Sequence, residues 1–425
     1  MSMRLVVTKS SPPALVVPSK PTPGGNLPLT STDKSRLFVS FASLMVFERP
    51  IHEPAETIRR ALSHALVYYY PVAGRMVAAG AGGDVHLACT GEGVAFASAT
   101  AIGTLQDISF LHASPELSLR YGGGGRCGMS DPLAMIQVTQ FACGGYVLAV
   151  TWNHGLADAS GIAQFLQAIG ELARGLPSPA VVPIRYDESF PDIPQLMSAL
   201  RRRAPAGHES SQHLADYAYS DVTIPWSFIN RVKAEFRRTH AGCGACTAFE
   251  AVTAAVWQCR TRAINNAADA PAPLVFSANV RTHVGIADGY YGNCVSSQLV
   301  VATSGAVASG DIVDVVKLIK DAKERIPESL VRRKMPELDD GGLVGALCGY
   351  SVLRVSCWSR VGLDAVDFGG GTPERVVPDL ERKRSPLCFP CLPCARNDRA
   401  GANVVAFCVT EEHVHEFHAQ LARLQ

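Results

Sequence analysis

The residues best suited to chemistry are a histidine and an aspartate four positions apart, His154 and Asp158, in the stretch Asn-His-Gly-Leu-Ala-Asp-Ala-Ser-Gly at 153–161. Neutral imidazole accepts protons near neutral pH, so His154 is a candidate general base for a hydroxyl or amine that must lose its proton. Asp158 is suited to accept hydrogen bonds or to pair with a cation and so brace the turn. A core histidine beside a helix-capping aspartate fits the same spacing, and these residues alone leave both interpretations open.

The residues on either side of this stretch predict a strand before it and a helix after it, which would hold its backbone rigid. Residues 144–152 are mostly β-branched, aromatic or apolar, which indicates a buried strand, and 133–141 read as its partner. Beyond the turn, apolar residues recur at helical spacing. The helix-forming positions are Ile162, Phe165, Leu166, Ile169 and Leu172. A side chain on a turn between strand and helix projects into a cleft while its backbone stays fixed.

Length and composition favour two domains. The chain has 425 residues, of which 47% are hydrophobic, so it can bury more than one core. We place an N-terminal domain at 1–175, a linker or crossover rich in Pro, Ser, Arg and His at 176–221, and a C-terminal domain at 222–425. Periodicity also predicts strands at 37–47, 274–281, 296–301, 351–358 and 403–410, and helices at 56–70, 226–239, 247–262, 312–326 and 411–423.

The charge balance excludes several classes of protein. Lys and Arg number 39 and Asp and Glu 38, so no bulk field points to nucleic acid or a membrane surface. No apolar run has membrane length, and the first thirteen residues have no signal-peptide core, so we expect a monomer in the cytoplasm. Basic runs at 201–203, 332–334 and 382–384 fit solvated loops or attraction of an anionic cofactor.

Two Cys-x-x-Cys pairs formally match a zinc pattern. They are Cys243 with Cys246 and Cys391 with Cys394. They lie too far apart in the sequence for a compact zinc ribbon, so we expect no metal and treat these residues as incidental thiols. A zinc-dependent hydrolase is the alternative that they would support.

Read together, six ordered segments resemble the BAHD family, plant acyltransferases that use acyl-CoA donors. His154 to Gly161 is similar to the family's His-x-x-x-Asp-Gly motif. The other segments are Pro71-Val72-Ala73-Gly74-Arg75, residues 137–145 (Gln-Val-Thr-Gln-Phe-Ala-Cys-Gly-Gly), Thr247-Ala248-Phe249-Glu250, Tyr290-Tyr291-Gly292-Asn293 and Asp367-Phe368-Gly369-Gly370-Gly371. The resemblance implies an α/β fold of two chloramphenicol-acetyltransferase-like domains, each a mixed sheet flanked by helices, with a channel between them.

The resemblance also implies roles for individual residues. His154 would deprotonate an amine or alcohol acceptor, which attacks the thioester of acyl-CoA without a covalent acyl-enzyme. Asp158 would pair with Arg281 of the Asn279-Val280-Arg281 segment and so act structurally. No tightly bound cofactor is implied, because acyl-CoA is a co-substrate.

Further residues are expected to assist the reaction. Ser356 and Trp358 are hydrogen-bond donors suited to a developing oxyanion, although ordinary strand packing explains Trp358 equally well. Thr247 at a helix start and Asn293 are candidates for binding CoA, with unnamed Lys or Arg for its phosphates.

Two departures from the family pattern bear on activity. The family's Asp-Phe-Gly-Trp-Gly becomes Asp367-Phe368-Gly369-Gly370-Gly371, so Gly370 replaces a tryptophan. In the family this motif shapes the fold and the channel indirectly. Ala159 follows Asp158 where the family usually has glycine. A catalytically weakened or non-catalytic relative that acts as a binding protein is therefore the alternative to an active enzyme.

The N-terminal stretch at 15–23 is most similar to the branch of benzyl alcohol and tryptamine benzoyltransferases. This resemblance favours benzoyl-CoA as donor and an aromatic amine or a benzyl-type alcohol as acceptor. Acetyl and hydroxycinnamoyl donors stay open, because a missing methylene changes discrimination by only about 1–3 kcal/mol.

Overall fold

The computed structural model describes residues 6–10, 12–79, 83–105, 115–122, 125–193, 195–196, 199–200, 217–332, 341–379, 385–395 and 400–425. Strands and helices are interspersed along these ranges. The strands are β1 Val6–Lys9, β2 Ala14–Val16, β3 Asn26–Pro28, β4 Ser40–Phe47, β5 Arg75–Ala79, β6 Asp84–Ala88, β7 Val94–Ile102, β8 Ala134–Phe141, β9 Tyr146–Asn153, β10 Ser220–Pro225, β11 Leu274–Asn279, β12 Val295–Val300, β13 Leu353–Ser356, β14 Arg375–Asp379, β15 Leu387–Leu392 and β16 Gly401–Phe407. The helices are α1 Ser31–Ser35, α2 Pro54–Tyr68, α3 Ala159–Ala173, α4 Trp226–Thr239, α5 Ala248–Ile264, α6 Arg281–Val284, α7 Ser304–Ser309, α8 Ile312–Glu324, α9 Ile326–Arg332, α10 Gly341–Cys348 and α11 Glu411–Ala422.

The first of two compact units comprises Met1–Asp192, Val284–Cys294 and Arg360–Glu381. Its main sheet has the order β1-β7-β8-β9-β4-β14, and β2 also pairs with β7. A smaller sheet, β3-β6-β5, belongs to the same unit. Only β7 and β8 pair in parallel in the main sheet, so it is mixed.

Strand β9 is the central strand that leads into the His154 turn. It pairs with β8 on one side and β4 on the other, and all eight of its residues are buried. Side chains of a strand point alternately to the two faces, so a strand that is buried throughout is covered on both. The turn therefore starts from a rigid part of the sheet.

Helix α3 follows the turn and binds the two segments that come from later in the chain. Gly161 and Gly170 are the positions of closest approach, because a Cβ there would overlap the carbonyl oxygens of Tyr291 and Asp367. The side chain of Gln167 donates a hydrogen bond of 2.6 Å to the carbonyl of Gly362. Residues 284–294 and 360–381 thus belong to the first unit through backbone contact with α3.

The second unit comprises Ile193–His283, Val295–Ser359 and Arg382–Gln425. Its sheet has the order β10-β16-β15-β13-β11-β12, with β13 parallel to both β11 and β15. Helix α5 is the core helix of this unit. A capping box between Thr247 and Glu250 starts it, Asn265 in the left-handed region ends it, and most of its residues are buried.

The fold class expected from the sequence is confirmed, since each unit is a mixed sheet with helices. The division of the chain differs from the expected one. Residues 284–294 and 360–381, which we placed in a 222–425 domain, belong to the first unit, because they contact α3 and because β14 pairs with β4. Residues 176–192 of the expected linker also belong to this unit, where Ile184 forms a bridge with Tyr290.

The three basic runs fall largely outside the described residues, namely 201–203, 333–334 and 382–384. Among the helices that the structure does describe, none has both the length and the apolar character needed to cross a membrane.

Substituting Gly170 by alanine tests the close approach of α3 to the Asp367 segment. The added methyl group would overlap the Asp367 carbonyl oxygen, so we expect Gly170→Ala to lower the free energy of unfolding by about 1–3 kcal/mol in urea titrations. Gly345→Ala in α10 is the matched control. Nothing lies within 4 Å of a Cβ at that position, so alanine should stabilise the protein by about 0.5–1 kcal/mol. Equal effects of the two substitutions would contradict the packing described for α3.

Candidate active site

The turn that carries His154 is hydrogen-bonded to the rest of the first unit at almost every residue. The N–H of His154 donates to the carbonyl of Val39 at 2.7 Å. The side-chain oxygen of Asn153 accepts from the amides of Gly155, at 2.9 Å, and Phe38, at 3.2 Å. These bonds link the turn to the start of β4, so the backbone of His154 is fixed from both sides.

The His154 ring is half-buried and meets the ring of Phe41 edge-on, with centroids 5.9 Å apart. Burial and then the positive charge of Arg36 lower the pKa of His154 to about 4, and Asp158 and Asn293 only partly oppose this shift. The imidazole is therefore neutral at pH 7 and able to accept a proton. Its Nδ1 atom is buried without a hydrogen-bond partner among the described residues.

Asp158 caps helix α3 and ties it to a later segment of the same unit. Its Oδ1 accepts from the amide of Gly161 at 3.0 Å, and its Oδ2 accepts from the amide of Cys294 at 2.9 Å. The carboxylate thus acts on the backbone, as the helix-cap interpretation of the sequence expected. The proposed pairing with Arg281 joins residues of different units and stays a prediction.

Asn293 lies directly beside the turn. Its side-chain Nδ2 donates to the carbonyl of His154 at 2.7 Å and to the carboxylate of Asp33 at 2.8 Å. In this structure Asn293 is completely buried and holds the backbone of His154. Its predicted role in binding CoA stays a prediction.

Asp33 and Arg185 are residues of the site that the sequence analysis missed. They form a buried ion pair of 3.1 Å, and Arg185 also donates to the carbonyl of Gly155 at 3.1 Å. Burial opposes the charge of Arg185, but Asp33 raises its pKa above the usual value. Thr30 and Asp33 form the capping box that starts α1, and this spacing is a helix-start signal that the sequence carries. It contains no sign of a partner 152 positions away.

The Asp367 motif is a structural segment of the first unit. The carboxylate of Asp367 accepts from the amides of Gly369 and Gly371 at 2.7 and 2.8 Å, so it closes the loop without help from a side chain at 370. Phe368 packs edge-on against Phe47. A Cβ at Gly370 would lie 2.8 Å from the Cγ2 of Ile51, so the backbone there fills the space next to β4.

Ser356 and Trp358 belong to the second unit. Ser356 ends β13, and Trp358 is 3% exposed and packs edge-on against Phe389 at 5.3 Å. The packing alternative for Trp358 therefore has direct support. Their predicted contribution to oxyanion stabilisation stays a prediction.

Thr247 lies at a helix start with several lysines around it, all in the second unit. Its side chain accepts from the Glu250 amide, and Glu250 is paired with Lys323 at 2.5 Å. Lys320 donates to the carbonyl of Ala245 at 3.2 Å, and the charges of Lys233, Lys320 and Lys323 all act on Cys246 next to Thr247. The helix start thus combines backbone amides with positive charge, as a phosphate requires.

The cysteine pairs form no metal centre in the part of the chain that is described. Across the ranges given above, no group of three or more histidine, cysteine or acidic side chains is arranged to hold a metal ion.

The low pKa of His154 predicts a specific dependence of stability on pH. Between about pH 6.5 and pH 4 the unfolded chain binds the proton and the folded chain does not, so His154 destabilises the fold as the pH falls through this window. In the wild-type protein we expect this effect to lower the free energy of unfolding by on the order of 2 kcal/mol between pH 7 and pH 4.5. In His154→Gln this decrease should be absent, as measured by urea unfolding at each pH.

His52→Gln is the control for this measurement, because the side chain of His52 is 91% exposed. This variant should keep the wild-type pH dependence. A His154→Gln protein that loses as much stability as wild type on acidification would show that the imidazole is not held in its neutral form.

Comparison with known proteins places this architecture in a family. Residues 5–424 match the model of the Transferase family. The chain is 38% identical to Acyl transferase 15 of Oryza sativa subsp. japonica, over 100% of this chain and 99% of the relative. It is 34% identical to myricetin 3-O-glucosyl 1,2-rhamnoside 6'-O-caffeoyltransferase AT1 of Crocosmia x crocosmiiflora, over 99% of each chain.

Solved structures of low identity share the fold. The crystal structure of vinorine synthase superimposes with a TM-score of 0.72 at 18% identity, over 99% of this chain and 98% of that one. TRI101 of F. graminearum, in complex with coenzyme A and deoxynivalenol, superimposes with a TM-score of 0.71 at 15% identity, over 93% and 97%. With the His154 turn, the fold and the whole-length match in agreement, the chain belongs to the BAHD acyltransferase family and is an acyltransferase.

Proposed function

We propose that the chain transfers an aromatic acyl group from acyl-CoA to an alcohol or amine, with His154 as general base. The observation that carries this proposal is the state of His154, a neutral and half-buried imidazole whose backbone is fixed on both sides of the turn. A base must be both unprotonated and held in place, and this residue meets both requirements.

The proposed reaction uses one nitrogen of the ring. Because Nδ1 of His154 is buried, Nε2 takes the proton as the acceptor O–H or N–H bond breaks. The acceptor oxygen or nitrogen then bonds to the thioester carbon, the C–S bond breaks, and the proton passes from Nε2 to the departing CoA sulfur. Ser356 and Trp358 are the proposed donors to the intermediate oxyanion.

We assign the phosphates of CoA to the start of helix α5, in the second unit. Thr247 supplies its hydroxyl and neighbouring amides, and Lys320 and Lys233 supply positive charge. Lys323 is the less suitable lysine, since it is paired with the buried carboxylate of Glu250. The protein would hold CoA only as a substrate, and we propose a monomer in the cytoplasm.

Two aromatic donor classes follow from different observations. Similarity of the N-terminal stretch favours benzoyl-CoA, whereas the caffeoyltransferase relative favours a hydroxycinnamoyl donor. Both present a planar apolar group with little charge, which apolar contacts hold. The acceptor is an aromatic amine or a primary alcohol.

A screen of acyl donors against acceptors, with products identified by mass spectrometry, tests this proposal. Purified protein is incubated with benzoyl-, caffeoyl- or acetyl-CoA and with tryptamine, benzyl alcohol or a flavonol glycoside. We expect transfer of an aromatic acyl group. Transfer of acetyl alone would refute the aromatic assignment and leave the family membership intact.

Replacing His154 tests its role as the base in whichever reaction the screen identifies. We expect His154→Ala to lower kcat by about 10²–10⁴-fold, because no base then removes the proton of the alcohol or amine. The KM for acyl-CoA should change little. His52→Ala, at an exposed histidine, should retain full activity. If CoA release persists in the His154 variant, another group is the base.

Replacing Lys320 tests the phosphate site. Its side chain is 12% exposed and lies at the turn before Thr247, so Lys320→Gln should raise the KM for acyl-CoA about tenfold at constant kcat. Lys34→Gln, which removes a half-exposed lysine paired with Asp84 in the first unit, is the control. The same KM in both variants would place the CoA phosphates elsewhere.

A further inference from the structure

We propose that the buried Asp33–Arg185 ion pair, acting with Asn293, is a positioning device for His154. It holds the two successive carbonyl groups of the turn and so sets the direction of the imidazole. This inference rests on the proposed role of His154 as base. Asp33 and Arg185 act on His154 through the backbone of the turn.

At the centre of this arrangement is the carboxylate of Asp33, and each of its oxygens has two hydrogen-bonding partners. Oδ1 of Asp33 accepts from the backbone amide and the side-chain Nδ2 of Asn293, at 3.3 and 2.8 Å. Oδ2 accepts from the amide of Thr30 at 3.0 Å and contacts Nη2 of Arg185 at 3.1 Å. Asp33 is completely buried, and these hydrogen bonds and the ion pair hold its carboxylate in one orientation.

The side chains of Asn293 and Arg185, which both bind Asp33, also bind the backbone of the turn. Nδ2 of Asn293 donates its second hydrogen to the carbonyl of His154, at 2.7 Å. Nη2 of Arg185 donates to the carbonyl of Gly155, at 3.1 Å. One carboxylate thus orients an amide and a guanidinium that hold consecutive peptide groups, and the first of these groups is bonded to the Cα of His154.

The chemistry of the pair fits positioning better than simple stabilisation. A buried ion pair adds little stability over well-packed apolar residues, but breaking it leaves an uncompensated charge. Its specific contribution is geometric, because Nη2 of Arg185 and Nδ2 of Asn293 are planar NH2 groups whose two N–H bonds point in fixed directions, one toward Asp33 and one toward the turn. Gly292 maintains this arrangement, since a Cβ there would lie 2.9 Å from Nη1 of Arg185.

A second ion pair in the same unit, with a buried carboxylate and a partly exposed arginine, provides the control. Arg120 donates to both carboxylate oxygens of Asp379, at 2.9 and 3.0 Å, and Ser118 donates to the same carboxylate. Asp379 is 5% exposed, and none of these hydrogen bonds reaches the His154 turn. The same substitutions in the two pairs therefore separate loss of stability from loss of positioning.

The experiment compares Asp33→Asn with Asp379→Asn and Arg185→Lys with Arg120→Lys. Asparagine presents N–H groups to partners that are themselves donors, and lysine keeps the charge but loses the planar fork. Two readouts are measured in the full chain. The first is the ¹H–¹³C signal of the His154 ring, assigned with His154→Gln, and the second is kcat and KM with the donor and acceptor that the screen identifies.

We expect Asp33→Asn to split or broaden the His154 signal and to lower kcat about 100-fold at constant KM, since small misplacements of catalytic groups have effects of this size. Asp379→Asn should lower only the melting temperature. Equal His154 signals and equal kcat in the two variants would overturn the proposal. Should Asp33→Asn not fold, Arg185→Lys against Arg120→Lys decides by the same criteria.

The two proposals fail in different ways. If wild-type protein transfers no acyl group to any acceptor, the function proposed for His154 fails. The ring signal still reports whether Asp33 holds the turn, because that measurement needs no substrate.

Discussion

One constraint governs much of the first unit. Every peptide group at the buried end of β9 must find a hydrogen-bond partner. All residues of β9 are buried, and the peptide groups of the turn after it find their hydrogen-bond partners in distant parts of the chain. Val39, Asn293 and Arg185 bind its backbone, and Asp158 closes its far side. A histidine in such a turn has little freedom of its own, which is the condition for a base that acts without rearrangement.

Electrostatics at the turn follow from the same crowding. Arg36 and Asp158 act on the His154 imidazole, and the Asp33–Arg185 ion pair lies beside the backbone of the same turn. Each carboxylate is occupied by backbone or side-chain donors, so neither is available to hold a proton on His154. Burial and Arg36 therefore determine its charge, and the ring stays neutral.

Local patterns predicted the elements well and the long-range pairings poorly. Helix α4 occupies the predicted residues, and β9 with its following turn lies where the apolar run and the helical spacing beyond it placed them. Strand β14 contains Pro378 and gains its partner β4 from more than 300 residues earlier, so nothing local marks it. The Asp33–Arg185 pair was missed for the same reason. The sequence reveals each charged residue, but it does not reveal the distant partner that compensates its charge when it is buried.

The discontinuous first unit has a consequence for biosynthesis. Residues 1–192 leave the ribosome early, but β14, the strand that covers the outer edge of β4, ends at Asp379. At synthesis rates of 5–20 residues per second, the gap lasts roughly 10–40 s. During that interval β4 is an open, apolar edge and α3 lacks the segments that cover its glycines. Until β14 has been synthesised, the nascent chain therefore exposes a strand edge that can pair with other chains.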